Sequence, residues 1–185
     1  EDRDPNAFAL PGGFLCVHQG LMRAADSAEE LAGVMAHEMA HVRNRHGLRH
    51  LISGVGPLYL LELVFGSDDG LVGALAAGSQ VLVALRFSRE YEQEADDAAW
   101  EYLQAANIDP RGMSSFLKKL QALEAKLGFS DGNRALSSHP PTPERIKRLE
   151  DKWQQTTKRD GFVKLPQLEK PPPSQDPRDA FFRRR

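Results

Sequence analysis

The chain has 185 residues, 41% hydrophobic and 27% charged, with 24 basic against 26 acidic side chains and a formal charge of -2. That is apolar material for one ordinary domain with a sizeable core, and a charge balance that argues against nucleic acid as a partner. A single cysteine, Cys16, excludes an intrachain disulfide and a cysteine-rich zinc site.

The chain opens Glu1-Asp2-Arg3-Asp4-Pro5 with no initiator methionine and no leader segment, as expected of a processed piece of a longer product. Ala7 to Leu10 and Phe14 to Val17 are short apolar runs around Pro11-Gly12-Gly13, and they predict two strands joined by a tight turn. The first strand is expected at an exposed edge. A lone hairpin is marginal in water, so further strands are expected from sequence upstream or from a partner chain. Leu21 to Ala25 reads as a short helical turn.

Asp26-Ser27 is then a good N-cap for a helix with Glu29 and Glu30 in its first turn, where acids suit the dipole. From Glu29 to His46, Leu31, Val34, Met35, Met39 and Val42 recur at helical spacing, with Gly47 expected to end the run. His37 and His41 fall one turn apart on one face, with Glu38 beside them. This HExxH arrangement offers two imidazoles to a zinc ion and a carboxylate to take a proton from the bound water. An extended motif would place a third histidine at position 47, which is Gly47. His46 and His50 are therefore expected at the helix end or behind the ligands.

Residues 51–85 are the most apolar part, in two halves, Leu51–Phe65 and Leu71–Leu85, around Gly66-Ser67-Asp68-Asp69-Gly70. Neither half reaches the eighteen to twenty apolar residues that span a bilayer. They predict a helical hairpin packed over the core; contact with a membrane surface or a partner is the other reading.

The next helix, about Phe87 to Ala106, has Ala95, Ala99, Tyr102, Leu103 and Ala106 as its buried stripe. Followed backward, the stripe takes in Glu92, with Asp96 one turn on, while Glu90, Glu94, Asp97 and Glu101 face the other way. A buried carboxylate needs a partner. Zinc is such a partner for Glu92, and a ligand histidine or an arginine for Asp96. Two histidines also need a third ligand and an open position for water, so Glu92 is the candidate ligand.

Pro110 to Leu127 is a helix whose core face is Met113, Phe116, Leu117, Leu120, Leu123 and Leu127. After a polar loop to Ser138, the run His139-Pro140-Pro141-Thr142-Pro143 leads into a last helix, with Thr142 as N-cap and Ile146, Leu149 and Trp153 as its apolar face. On residues alone, His139 is a loop histidine ahead of a helix. Residues 159–185 turn proline-rich and basic and are expected extended or disordered, leaving 1–158 as the domain.

In this arrangement Glu38 is the general base, zinc polarises the scissile carbonyl, and peptide bonds are the natural substrate. An edge strand at Ala7, Phe8, Ala9 and Leu10 would hold an extended peptide by strand addition, which favours unfolded or flexible polypeptide.

His37-Glu38-Met39-Ala40-His41, followed by Glu92-Gln93-Glu94-Ala95-Asp96, resembles the M48 family of zinc metallopeptidases. The resemblance implies an α+β fold, a zincin-like metallopeptidase domain that is mainly helical with a small N-terminal hairpin. It implies one Zn2+ per chain, with Glu92 as third ligand and Asp96 supporting a ligand histidine. Asn6 to Gly13 is similar to the family's substrate-side strand, which gives Ala7, Phe8, Ala9 and Leu10 a substrate-binding role. Ser88-Arg89-Glu90 resembles the lead-in to the third ligand and sets Arg89 near the site.

Ser138-His139-Pro140 with Pro143-Glu144-Arg145 resembles the closing motif of the soluble envelope branch, where the histidine is a displaceable fourth zinc ligand that blocks the site; carried over, that is His139. The apolar segments are shorter than those of the multi-spanning types. The implied protein is a soluble or peripherally attached endopeptidase of the bacterial cell envelope, periplasmic or membrane-associated, acting on unfolded or misassembled proteins. The alternative is a latent zinc-binding chaperone or adaptor of the same fold.

Overall fold

The computed structural model describes residues 5–10, 13–50, 87–126 and 139–171. The apolar hairpin expected over 51–85 and the polar loop before Ser138 lie outside the described residues. Strand β1, Ala7–Leu10, pairs antiparallel with β2, Phe14–Val17, in the register Ala7 to Val17 through Leu10 to Phe14. Gly13 closes the turn at φ 86, a left-handed conformation that suits glycine, and its N–H donates to Leu10 O at 3.2 Å. These two strands form a complete sheet among the described residues, and each therefore has an unpaired edge.

Helix α1, Gln19–Ala24, leads to α2, Ala28–Arg43. The Ser27 hydroxyl caps α2 by accepting from the Glu30 N–H at 3.2 Å. Glu30 is itself buried, and its carboxylate accepts from Ser115 Oγ at 2.6 Å, Lys119 Nζ at 2.5 Å and the Asp26 N–H at 2.7 Å.

The face that α2 buries differs from the one its large apolar residues suggest. Met35 and Met39 are 37% and 51% exposed, whereas Gly33, Ala36, His37, Ala40 and His41 are buried. Close approach of neighbouring helices selects for small side chains here. A Cβ on Gly112 would sit 2.2 Å from the Glu29 carbonyl oxygen, and one on Gly33 would meet Met113 at 3.0 Å. The helix also stops at Arg43, short of Gly47. Arg45 takes a left-handed φ of 54, and helical backbone resumes over residues 46–50.

Helix α3, Arg89–Ala105, and helix α4, Arg111–Lys126, both pack against α2. Ala95, Ala99 and Leu103 of the expected α3 stripe are buried and Trp100 joins them; Ala106 is the exposed C-cap, because the helix ends one residue earlier. Helix α5, Pro143–Gln155, starts on the Thr142 hydroxyl, which accepts from the Arg145 N–H at 3.4 Å.

One core cluster joins α2 to α5 through Ala36, Ala99, Trp100, Leu103, Met113 and Leu149. A second lies between the hairpin and α4, built on Ala7, Leu21, Ala25, Phe116 and Leu120. Residues 156–171 have no regular secondary structure. They lie against the helices: the Val163 N–H donates to Asn107 O at 2.8 Å, and Leu168 packs on the second cluster.

Candidate metal centre

Three elements meet at one point. The helical period of α2 sets His37 and His41 on its buried face, α3 brings Glu92 and Asp96 one turn apart, and the segment entering α5 brings His139 and Arg145. All six are buried. The His37 and His41 Nε2 atoms are 3.0 Å apart. His139 Nδ1 is 3.4 Å from His37 Nε2 and 2.7 Å from Glu92 Oε1. The Glu92 carboxylate lies 3.3 Å from His37 Nε2 and 3.5 Å from His41 Nε2.

One ligand atom from each of these four residues falls within 4.8 Å of the others. Bonds of about 2.1 Å to a tetrahedral zinc give ligand–ligand edges on the order of 3.4 Å, and the separations here, 2.7 to 3.5 Å, lie around that value. Three imidazoles and a carboxylate are also the donor set that zinc takes. These residues fit the ion.

Behind the cluster, His37 Nδ1 faces Asp96 Oδ1 at 2.9 Å. Asp96 is held in turn by Arg145, whose Nε reaches Oδ2 at 2.8 Å and whose Nη2 reaches Oδ1 at 2.7 Å. Arg145 Nη1 also contacts Glu92 at 2.7 Å and donates to Pro140 O at 3.0 Å. On the other side, His46 Nδ1 lies 2.9 Å from His41 Nδ1. Phe87 stacks on the His41 ring with centroids 4.3 Å apart.

Burial and charge set the protonation pattern. Burial opposes a proton on His37, but hydrogen bonds to Asp96 and Glu92, reinforced by their charges, raise its pKa to about 9. Burial and the charges of His37 and His139 hold His41 well below the ordinary histidine range. Burial alone would raise Glu92, yet the charge and hydrogen bond of His139, with those of His37, keep it ionised. Asp96 is likewise depressed, burial being outweighed by the charge and hydrogen bonds of Arg145. Burial pushes Glu38 up, against the lowering charges of His139 and His37. His139 Nε2 stands 3.4 Å from Glu38 Oε1, so this one ring touches both the ligand cluster and Glu38.

A cleft opens beside the cluster. His37, Glu38 and His139 border it on one side, Asn6 and Ala7 of the β1 end on another, and Phe116 and Leu120 form an apolar wall. Phe8, Ala9 and Leu10 continue β1 as half-buried residues.

Arg89 stands exposed at the first position of α3. The guanidinium at the site belongs to Arg145, which sequence reasoning left unnamed as the arginine for Asp96. A signal existed: Arg145 lies one turn from Leu149 on the apolar side of α5, and an arginine there needs a buried acid.

The profile of peptidase family M48 matches residues 1–153. The beta-barrel assembly-enhancing protease of Escherichia coli (strain K12) is 35% identical over 153 residues, which cover 76% of this chain and 31% of that protein. Metalloprotease LoiP of the same strain is 30% identical over 155 residues, covering 81% and 59%. The mitochondrial metalloendopeptidase OMA1 of Schizosaccharomyces pombe is 32% identical over 157 residues, covering 81% and 44%. The chain spans less than a third of the beta-barrel assembly-enhancing proteases it matches, 26% of the Yersinia pestis protein and 31% of the Escherichia coli one. The match runs from the hairpin into α5, through every element that contributes to the buried cluster, and on that extent the chain belongs to peptidase family M48, a metallopeptidase family with a zincin-like domain.

Proposed function

We propose that this protein is a zinc-dependent endopeptidase that hydrolyses peptide bonds in unfolded or misassembled proteins. The observation that carries the reading is the convergence of His37, His41 and Glu92 beside the buried carboxylate Glu38. Those three would hold one Zn2+, with His139 as a displaceable fourth ligand. When bound, zinc supplies Lewis acidity that polarises the scissile carbonyl and acidifies water.

Glu38 takes one proton from the attacking water and returns it to the amine nitrogen as the C–N bond breaks. A carboxylate whose pKa is lifted by burial suits that shuttle, since it binds the proton well enough to carry it. Asp96 fixes the ring of His37, and Arg145 fixes Asp96. Arg89, at the exposed start of α3, is the further residue we place near the site.

The free edge of β1 would receive an extended peptide along Ala7, Phe8, Ala9 and Leu10, with its side chains directed at the apolar wall of the cleft. Unfolded chains expose such segments and folded ones hide them. A relative named for enhancing β-barrel assembly supports a role in protein quality control. The cell envelope, periplasmic or at the membrane surface, is the compartment we assign. Among the described residues no helix is long and apolar enough to cross a membrane. The domain we assign is 1–158, with 159–185 as its tail.

A second reading, a latent zinc-binding chaperone or adaptor, is favoured by the position of His139 against both Glu92 and Glu38. Cleavage of casein separates the two. The protease reading expects cleavage that is lost with a chelator and in Glu38→Gln, and that rises in His139→Ala. Zinc uptake without cleavage, even in His139→Ala, would instead establish the latent form.

A further inference from the structure

Neither the motif nor the ligand cluster uses His46, yet it is fully buried at 0% exposure. The break after α2 puts it there. Asn44 and left-handed Arg45 end the helix, and the next residue turns its ring back beneath His41. Its Nδ1 meets His41 Nδ1 at 2.9 Å, and its Nε2 meets Glu94 Oε2 at 3.2 Å. Glu94 is also bound by Arg49 at 3.1 Å. The His46 ring lies parallel to Tyr91, with centroids 4.6 Å apart and planes at 8°.

Two nitrogens at 2.9 Å share one hydrogen, and the chemistry of the site decides which carries it. A histidine that gives its Nε2 lone pair to a metal must keep its hydrogen on Nδ1. His41 then donates from Nδ1, and His46 accepts at Nδ1. A neutral His46 has its own hydrogen on Nε2, where Glu94 accepts it. Each donor in the chain thus has an acceptor, ending on a carboxylate that Arg49 anchors.

Resting on the reading of His37, His41 and Glu92 as zinc ligands, we propose that His46 is a positioning residue for the metal, fixing the tautomer and ring angle of His41 through a relay that ends on Glu94. The two ligand histidines are backed differently. His37 faces a buried carboxylate directly, whereas His41 reaches a half-exposed one through a second imidazole. Partners of this kind raise ligand basicity, and their loss typically weakens metal binding about 10–100-fold.

The plain alternative is that His46 only fills space against Tyr91. Phenylalanine separates the two, because it keeps a ring for the stack and removes the acceptor. The measurement is the Zn2+ dissociation constant of the metal-free protein, by competition with a chromophoric chelator, alongside the absorption spectrum of the Co2+-substituted protein. His46→Phe should weaken zinc about 10–100-fold and change the Co2+ spectrum; His46→Gln, which keeps an acceptor, should recover most of the affinity.

Wild-type affinity and spectrum in His46→Phe would overturn the relay. Should that variant fail to fold, Glu94→Ala, which removes the acceptor at a half-exposed position, carries the test. A several-fold weakening supports the relay and unchanged affinity overturns it. A wild-type protein that takes up no stoichiometric zinc would instead sink the metal reading itself, and the relay with it.

Discussion

Raising the pH from 6 to 9 should tighten zinc binding to the metal-free protein about tenfold per unit, with the rise continuing well past 6.5, where an ordinary histidine would stop contributing. The reason is the proton on His37, whose pKa of about 9 reflects its hydrogen bonds to Asp96 and Glu92 winning over burial. A ligand imidazole must be neutral. At pH 7 only about 1% of the metal-free sites meet that condition, a handicap of about 3 kcal/mol. Glu92 is already ionised and His41 already neutral, so zinc should release about one proton from the ligand set.

Chelator competition across the pH range would follow the affinity, and titration calorimetry in buffers of different ionisation heat would count the proton. Affinity that levels off near 6.5, or release of no proton at pH 7.5, would refute the reasoning. The same shift acts on folding. A histidine raised from 6.5 to about 9 stabilises the metal-free fold fully below 6.5 and loses that contribution as the pH climbs through 9. The metal-free protein should therefore melt at lower temperature at pH 9 than at pH 6.5, by an amount equivalent to about 3 kcal/mol.

Gly112→Ala would place a Cβ 2.2 Å from the Glu29 carbonyl oxygen, which is backbone and cannot swing aside. Forcing α4 away from α2 should cost about 3 kcal/mol, well above the gain of about 1 kcal/mol from alanine in a helix. A fall of several degrees in Tm is expected, and an unchanged melt would disprove the close approach. Arg145→Leu leaves Glu92 and Asp96 buried without their shared cation and should lose about 3–5 kcal/mol in the metal-free form. Because zinc would satisfy Glu92, the Tm gain on adding zinc should be larger in this variant than in the wild type; equal gains would refute the role given to Arg145. Glu30→Ala strips the partners of Ser115 and Lys119 and should cost about 1–3 kcal/mol in chemical denaturation, against no change if the contact is only superficial.

What local periodicity can specify, the sequence shows. A helical repeat places His37 with His41, and Glu92 with Asp96, because residues one turn apart share a face whatever they pack against. Caps at Ser27 and Thr142 are equally local. The buried face of α2 is not, since it is chosen by Gly112 from far along the chain, and that contact favours Ala36 and Ala40 over the larger Met35 and Met39. Arg145 at Asp96 and His139 at Glu92 are contacts made by the tertiary fold; the resemblance to known proteins suggested the second, and nothing in the helical repeat did. His46 turns inward because an arginine adopts a left-handed backbone, a conformation that residue type does not advertise.

The buried charges of the metal-free site cancel in pairs: the carboxylates of Glu92 and Asp96 face the imidazolium of His37 and the guanidinium of Arg145. Exchanging the His37 proton for a dication upsets that neutrality by one positive unit, in a region shielded from water. Glu38 is the carboxyl beside it whose affinity for a proton burial has lifted. A dication draws that affinity down again, so the ion's arrival favours the charged form of Glu38 that a base requires, and its departure favours the protonated one. Zinc occupancy and the basicity of Glu38 would thereby be coupled, an empty site favouring the form that cannot act as a base.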